Sequence, residues 1–443
     1  MPREGEPLIR HFDEETLYEY LDDPEAFPFR DELEAHLPQC ASCRAALDEL
    51  CEFEAALSSS ALWDFAEAVR RHREPPGAMR SIADQLVAED ADANDFLKPI
   101  LTSPAAFRRA NVASTPELHT AGVVRSLCAT SRMLRERQPM HALTLADSAI
   151  AISERLSADH YPETLRSDLS GQAWLERANS LRYLGRHPEA LDALDIAERA
   201  FENTPVAAYS IALVQYLRSV VFFKMEQHDE AMQLARQSAR VFRQFGESAR
   251  FTHAKIVQGG VLFHLSRFRE ALELFLSLIP VAKDLGDAET LARLYSNVAN
   301  CYLSLDQLSD ASSYFAQAIS LYEALGMETE SIRTRWSLGR MLVRSGDVRD
   351  GIVRLRQAKR DFERLGATTD AALVALNIIE ALLAIGDLRG AAELCTGLVE
   401  SFTNVGMTGG ALTALGFLRE TIAHGSATPV IVQQVRMFLE KRE

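Results

Sequence analysis

Apolar, small and polar positions recur on a forty-residue ruler from about residue 205 to 408. Glycines stand at 246, 286, 326, 366 and 406, in "RQFGESA", "KDLGDAE", "EALGMET", "ERLGATT" and "TNVGMTG". Small residues keep the same interval at Ala231, Ala271, Ala311, Gly351 and Ala391. A second set falls at Ser219, Gly259, Ala299 and Gly339, with the larger Ile379 in fifth place. Four residues after each member of the first set come Ala235, Phe275, Phe315, Leu355 and Cys395. An earlier copy at 173–201 carries Ala178, Ala190 and Leu194 in matching places. The spacing predicts helix–turn–helix units. Small residues let two antiparallel helices approach, a large apolar residue wedges between units, and the glycine supplies a left-handed residue after the second helix. Turns such as "SGDVRD" and "IGDLRG" separate the two helices of a unit. A period of this length means a solenoid.

The pattern resembles tetratricopeptide repeats, in a variant with a period near forty, over roughly residues 120–443. The fold class expected is all-α: a small helical N-terminal domain followed by a right-handed superhelical repeat array. A degenerate unit around 140–156 precedes the regular ones, and "PVIVQQVRMFLEKRE" reads as a closing helix. Such arrays bind other chains on a concave surface lined by the first helix of each unit. Projecting the register brings Arg293, Asn297 and Asn300 to that surface, then Arg333, Trp336 and Arg340, with Tyr216 and His253 earlier. Paired Arg columns with Asn and Trp are suited to gripping an extended peptide through backbone hydrogen bonds and a carboxylate fork. The competing reading is that these side chains are solvated or satisfied within the chain.

A different chemistry is concentrated near the N-terminus. In "AHLPQCASCRAAL", His36, Cys40 and Cys43 fall within eight positions. If a helix ends near His36, its imidazole lies about 6 Å from the Cys40 thiol. Pro38 then breaks the helix, and the two cysteines open the next one, where both thiols are expected to be acidified. This gives three ligands of a tetrahedral metal site. For a fourth, Cys51 is about 12 Å further along the same helix, a poor choice. His11 precedes a helix bearing Leu17, Tyr20 and Leu21, and folding that helix back would bring it to the site.

The run His11, Leu17, Tyr20-Leu21-Asp22, His36-Leu37, Cys40 and Cys43-Arg44 resembles the zinc-binding anti-sigma domain over about residues 8–55. The resemblance implies structural zinc held by His11, His36, Cys40 and Cys43, and a grip on an extracytoplasmic-function-type sigma factor. The sequence departs from that family at "DDPEAFPF", where Phe27 and Phe29 flank Pro28 and remodel the surface turned to the partner.

Charge sharpens this picture. Residues 1–60 hold 16 Asp and Glu against four Arg, so −12 of the formal −16 lies in this segment. It should repel nucleic acid and attract a basic protein surface, as a mimic of DNA phosphate would. The six cysteines form no disulfide framework. With no apolar leader and no long apolar run, a soluble cytoplasmic protein without membrane contact is expected.

No P-loop, G-x-S-x-G elbow or H-E-x-x-H occurs, and four protein ligands would leave zinc no open position. The expectation is therefore a binding protein, not an enzyme. The main reading is an anti-sigma-like adaptor whose array reads a second protein or peptide. The alternative is a scaffold with a structural zinc docking module and no sigma factor. The expected division is 1–56 zinc-binding domain, 57–118 helical linker (with Leu62, Phe65 and Val69 on one helix face), 119–424 repeat array and 425–443 capping helix.

Overall fold

The computed structural model describes residues 29–57, 85–93, 114–202, 207–405 and 409–440, with positions 12, 16, 17, 20, 82, 112 and 204. Among them the secondary structure is entirely helical. Near the N-terminus lie α1 (Arg30–His36) and α2 (Ala41–Leu57), joined by a 3-10 turn at Leu37–Gln39. The array begins with α3 (Ala121–Leu134), α4 (Pro139–Ser153), α5 (Glu163–Tyr183), α6 (His187–Phe201) and α7 (Ala207–Lys224). It continues through α8 (His228–Gln244), α9 (Ser248–His264), α10 (Phe268–Asp284), α11 (Ala288–Ser304) and α12 (Leu308–Ala324). Next come α13 (Glu328–Arg344), α14 (Val348–Arg364), α15 (Thr368–Ala384) and α16 (Leu388–Val405). The last two are α17 (Gly409–Ala423) and α18 (Pro429–Glu440).

From α8 to α15 every helix has 17 residues and begins twenty after the one before. The cause is a repeated stop. Gly246, Gly286, Gly326 and Gly366 take φ between 65° and 72°. The next amide then reaches back five residues: Glu247 to Phe242 O at 2.8 Å, Met327 to Tyr322 O at 2.8 Å, Ala367 to Phe362 O at 2.9 Å. This is the Schellman closure, and it satisfies carbonyls that the helix end would orphan. The turns inside the units do the same. Their left-handed residues are Glu226, Ser266 and Asp306 (φ 59°, 61°, 62°), then Gly346 and Gly386. Gly406 lies outside the described residues.

The small residues mark close approaches. A Cβ on Gly259 would sit 2.4 Å from the Phe275 ring, and one on Gly171 would sit 2.5 Å from the Phe201 ring. A Cβ on Gly339 would meet Leu355 at 3.0 Å. In each case the two residues belong to the paired helices of one unit. The large residue thus wedges within the unit, not between units as the spacing suggested. The reason is that a glycine on the first helix opens a slot directly under the second.

First helices also touch the next first helix in series (α7 to α9, α9 to α11, and on to α15), so they form the inner wall of the superhelix. At the near end, the stretch 85–93 packs on α3. Arg125 bonds Asp90 at 2.8 Å, and Glu89 accepts from the Gly122 amide at 3.0 Å and the Tyr161 hydroxyl at 2.7 Å. At the far end α18 packs on α15 and α17, burying Val432 and Val435, with Arg436 reaching Glu380 at 3.4 Å. The helix face proposed for Leu62, Phe65 and Val69 lies outside the described residues. No helix among the described residues is long and apolar enough to cross a membrane.

Two substitutions probe these constraints in opposite directions. Gly259→Ala drives a methyl into the buried Phe275 ring and is expected to cost about 1–3 kcal/mol. Ser266→Gly relieves a left-handed serine and is expected to gain up to about 1 kcal/mol. Thermal unfolding followed by circular dichroism checks both, the first lowering and the second raising the midpoint.

Candidate functional site

Two groups of residues were singled out by the sequence, and the structure treats them differently. In the N-terminal group, Leu17, Leu33 and Leu50 form a buried cluster with Phe12, Tyr20, Leu37, Ala46 and Leu47 packed around it. Tyr20 donates to Glu34 at 3.2 Å, and Arg30 holds the same carboxylate at 2.8 Å. This small core fixes α1 against α2 and sets the ends of the 3-10 turn. At that turn the donor atoms of His36, Cys40 and Cys43 all lie within 4.8 Å of one another. They are closer than the 6 Å expected because Pro38 sits in a tightened turn, not in an open break.

Cys40 and Cys43 are chemically unequal. Cys40 is extended (φ −123°, ψ 104°) immediately before α2 and accepts from the Cys43 amide at 3.5 Å, so it caps the helix through sulfur. That amide, with the Ser42 amide and Arg44, draws the Cys40 thiol below its ordinary pKa despite burial. Cys43 is one turn in, where burial pushes its thiol up. The expectation that both thiols are acidified is corrected for Cys43. Its thiol faces the Phe12 carbonyl at 3.8 Å, and the Phe12 ring meets the His36 ring edge-on at 5.2 Å. The residue following His11 is therefore in contact with two of the three donors. His11 itself and the Cys51 side chain lie outside the described residues.

The donor set suits a borderline-soft divalent cation. Thiolates at about 2.3 Å and imidazole at about 2.0 Å from zinc stand some 3.5–4 Å from each other. The observed cluster is within about an ångström of closing on that geometry.

The residues projected onto the groove lie on first helices, where the side chains of His253, Arg293 and Arg333 are 42%, 43% and 55% accessible. Most of them are already engaged within the chain. His253 Nε2 is 3.0 Å from Thr290 Oγ1, and Arg333 pairs with Asp370 at 3.3 Å. Trp336 Nε1 donates to Asn377 Oδ1 at 2.7 Å, while its ring meets Phe362. These bonds span 37 to 41 residues, so they tie α9 to α11 and α13 to α15. Asn300 bonds its own helix at Ser296 O (2.9 Å), and Tyr216 packs edge-on against Phe242. Arg340 is also engaged, and Asn297 lies half-buried on the same wall.

Arg293 pairs with Glu289 at 2.6 Å and with Glu136 at 3.7 Å. Glu136 lies in the turn between α3 and α4, and its carboxylate also accepts from the Tyr183 hydroxyl at 2.5 Å. The superhelix therefore curls far enough to bring its first turn to α11. Sequence spacing could not show this, because the contact depends on accumulated curvature. Asp287 caps α11 through the Thr290 amide at 2.9 Å and bonds the Thr290 hydroxyl at 2.7 Å. Burial raises its pKa, but these bonds, with His253 and Arg293 nearby, bring it below the ordinary carboxylate value.

A tetratricopeptide repeat model matches residues 254–324. Response regulator aspartate phosphatase I of Bacillus subtilis is 26% identical over 106 residues, 24% of this chain. The match spans only 27% of that relative's length. Among solved structures, a signal-transduction ATPase of Pyrococcus horikoshii with a tetratricopeptide repeat sensor superposes with a TM-score of 0.53. It is 12% identical, with 79% of this chain and 52% of that one covered, a likeness of fold alone. A Rap protein complexed with competence and sporulation factor gives 0.48 at 14% identity, covering 81% and 99%.

Removing a groove tie should weaken the array. Asn377→Ala leaves the Trp336 N–H without its acceptor and is expected to cost about 1–2 kcal/mol in urea unfolding. For Asp287 the depressed pKa means a stabilising contribution that is present above the ordinary aspartate range. It is lost as pH falls through the lower folded value. Carboxyl NMR titration should find its midpoint below that of an unstructured aspartate.

Proposed function

We propose that the chain is a binding adaptor whose repeat array holds an extended segment of another protein along the inner wall of first helices. The observation that carries this is the wall itself: serially packed first helices presenting Tyr216, His253, Arg293, Asn297 and Arg333 to water within a concavity. A partner would gain affinity by exchanging its own polar groups for the ties that now join neighbouring helices. The similarity to tetratricopeptide repeats over 254–324 supports the reading. The test is a photo-crosslinking amino acid placed at Asn297, compared with one at the exposed Arg389, in lysate of the native host. Capture of a distinct protein from position 297 alone is expected. Equal capture from both positions, or none from 297, overturns the reading.

The clustered donors favour a second role for the N-terminal group. His36, Cys40 and Cys43 would hold a structural zinc ion, with His11 as fourth ligand, since its neighbour Phe12 touches both His36 and Cys43. Zinc bound there would tie α1 to α2 where the local core is only a few leucines. Elemental analysis should find about one zinc per chain. It should be lost in the Cys40→Ser/Cys43→Ser variant, with the variant's N-terminal group opening to hydrogen exchange. The motif also supports the finer reading that this group grips a sigma factor through its acidic surface. A pull-down in which wild type retains a sigma factor and the double variant does not would establish it. Identical partners for both forms would leave the scaffold reading.

A further inference from the structure

Where first helices end and second helices begin, three consecutive units place basic side chains together. Arg182 lies near the end of α5 and Lys224 ends α7, His187 opens α6 and His228 opens α8, and His264 ends α9. The rings of His228 and His264 lie 5.5 Å apart, with Phe223 against both at 6.2 and 5.0 Å. Arg182 is held in place by two bonds to Asn179 (2.8 and 3.0 Å) and lies 4.0 Å over the Tyr183 ring. Among the described residues neither Arg182 nor Lys224 has a carboxylate within ion-pair distance. Three of the neighbouring acids are spent elsewhere, Glu189 on Arg186, Glu176 on Arg132 and Arg135, and Asp370 on Arg333, while Glu226 stands near His264.

The groups feel one another. Burial, then Arg182 and Arg333, lower the pKa of Lys224, although its side chain is reached by water. Burial, then Lys224 and Arg182, lower that of His187; burial, then His228 and Lys224, lower that of His264, against Glu226 alone. The Nδ1 atoms of His187 and His228 are buried and meet no partner among the described residues. Two cations without a carboxylate partner, Arg182 and Lys224, with imidazoles beside them, attract an anion. The chain supplies a precedent beside it, since Glu136 enters this wall to bond Tyr183 and Arg293.

We propose that Arg182 and Lys224, rimmed by His187, His228 and His264, form an anion-binding site that takes the acidic side chains of a peptide. The site deepens the groove reading and rests on it. Three units in series present it, which suits successive carboxylates of an extended segment. The anion already seated beside this edge is a carboxylate, that of Glu136 on Tyr183 and Arg293, which favours the acidic side chains of a peptide.

The test is fluorescence anisotropy of a labelled hexaglutamate peptide with the full chain. Binding is expected to weaken as salt is raised. It should fall at least tenfold in Arg182→Ala/Lys224→Ala, and stay unchanged in Arg389→Ala, whose side chain is 91% exposed on α16. Circular dichroism must show both variants folded; a double variant that unfolds is replaced by Arg182→Gln/Lys224→Gln. Equal loss in the Arg389 variant, retained affinity in the double variant, or tighter binding of oligothymidylate than of hexaglutamate overturns the site. The crosslinker at Asn297 separates the two claims. Capture there that is unaffected by the double variant removes the anion site and keeps the groove, whereas absence of capture removes the groove reading itself.

Discussion

Everything regular in this molecule depends on one backbone event, the left-handed residue that ends a helix and lets the following amide bond back five residues. Because it recurs every twenty positions from Glu226 to Gly386, helix length, turn length and the angle between successive helices are all fixed by the same local closure. Identical helices joined by identical turns stack with a constant small rotation, and a superhelix is the only outcome. The inner wall exists because that rotation keeps every first helix on one side. The groove residues are functional candidates only through this placement, since each of them taken alone is an ordinary helical side chain.

The fold was readable to the extent that residue type and backbone demand coincide. At 246, 286, 326 and 366 the left-handed turn is made by glycine, so the ruler appears in the letters. At Glu226, Ser266 and Asp306 the same conformation is imposed on residues that do not advertise it, because packing of the flanking helices outweighs a modest local cost. The half-period of twenty was therefore hidden behind the visible period of forty. The slot for Phe275 was visible as Gly259, but not which helix pair it joined, since both partners repeat with the same interval.

The sites divide the same way. Metal-ligand spacing is a local property, so His36, Cys40 and Cys43 were found by counting, and their donor atoms do converge. Which thiol is acidified depended on a cap geometry that only the turn at Pro38 determines. Groove chemistry is non-local. Arg333 to Asp370, Trp336 to Asn377 and His253 to Thr290 are products of helix stacking, and they turn residues that looked available into struts of the wall. The basic edge around Lys224 escaped notice because its members come from five helix ends, none of which carries a basic run.

Nearly every contact in the array joins neighbours in sequence, and the apolar core is correspondingly divided into separate clusters. The bridge from Glu136 to Arg293, with Tyr183 on the same carboxylate, is an exception that reaches far along the chain. It fastens the first turn of a coil to its fifth helix pair. A coil with such a catch has two mechanical regimes: stiff while the carboxylate stays seated, compliant once it lets go. Half-exposed and shared among few groups, that seat adds a releasable long-range clasp to a spring whose pitch the local closures set.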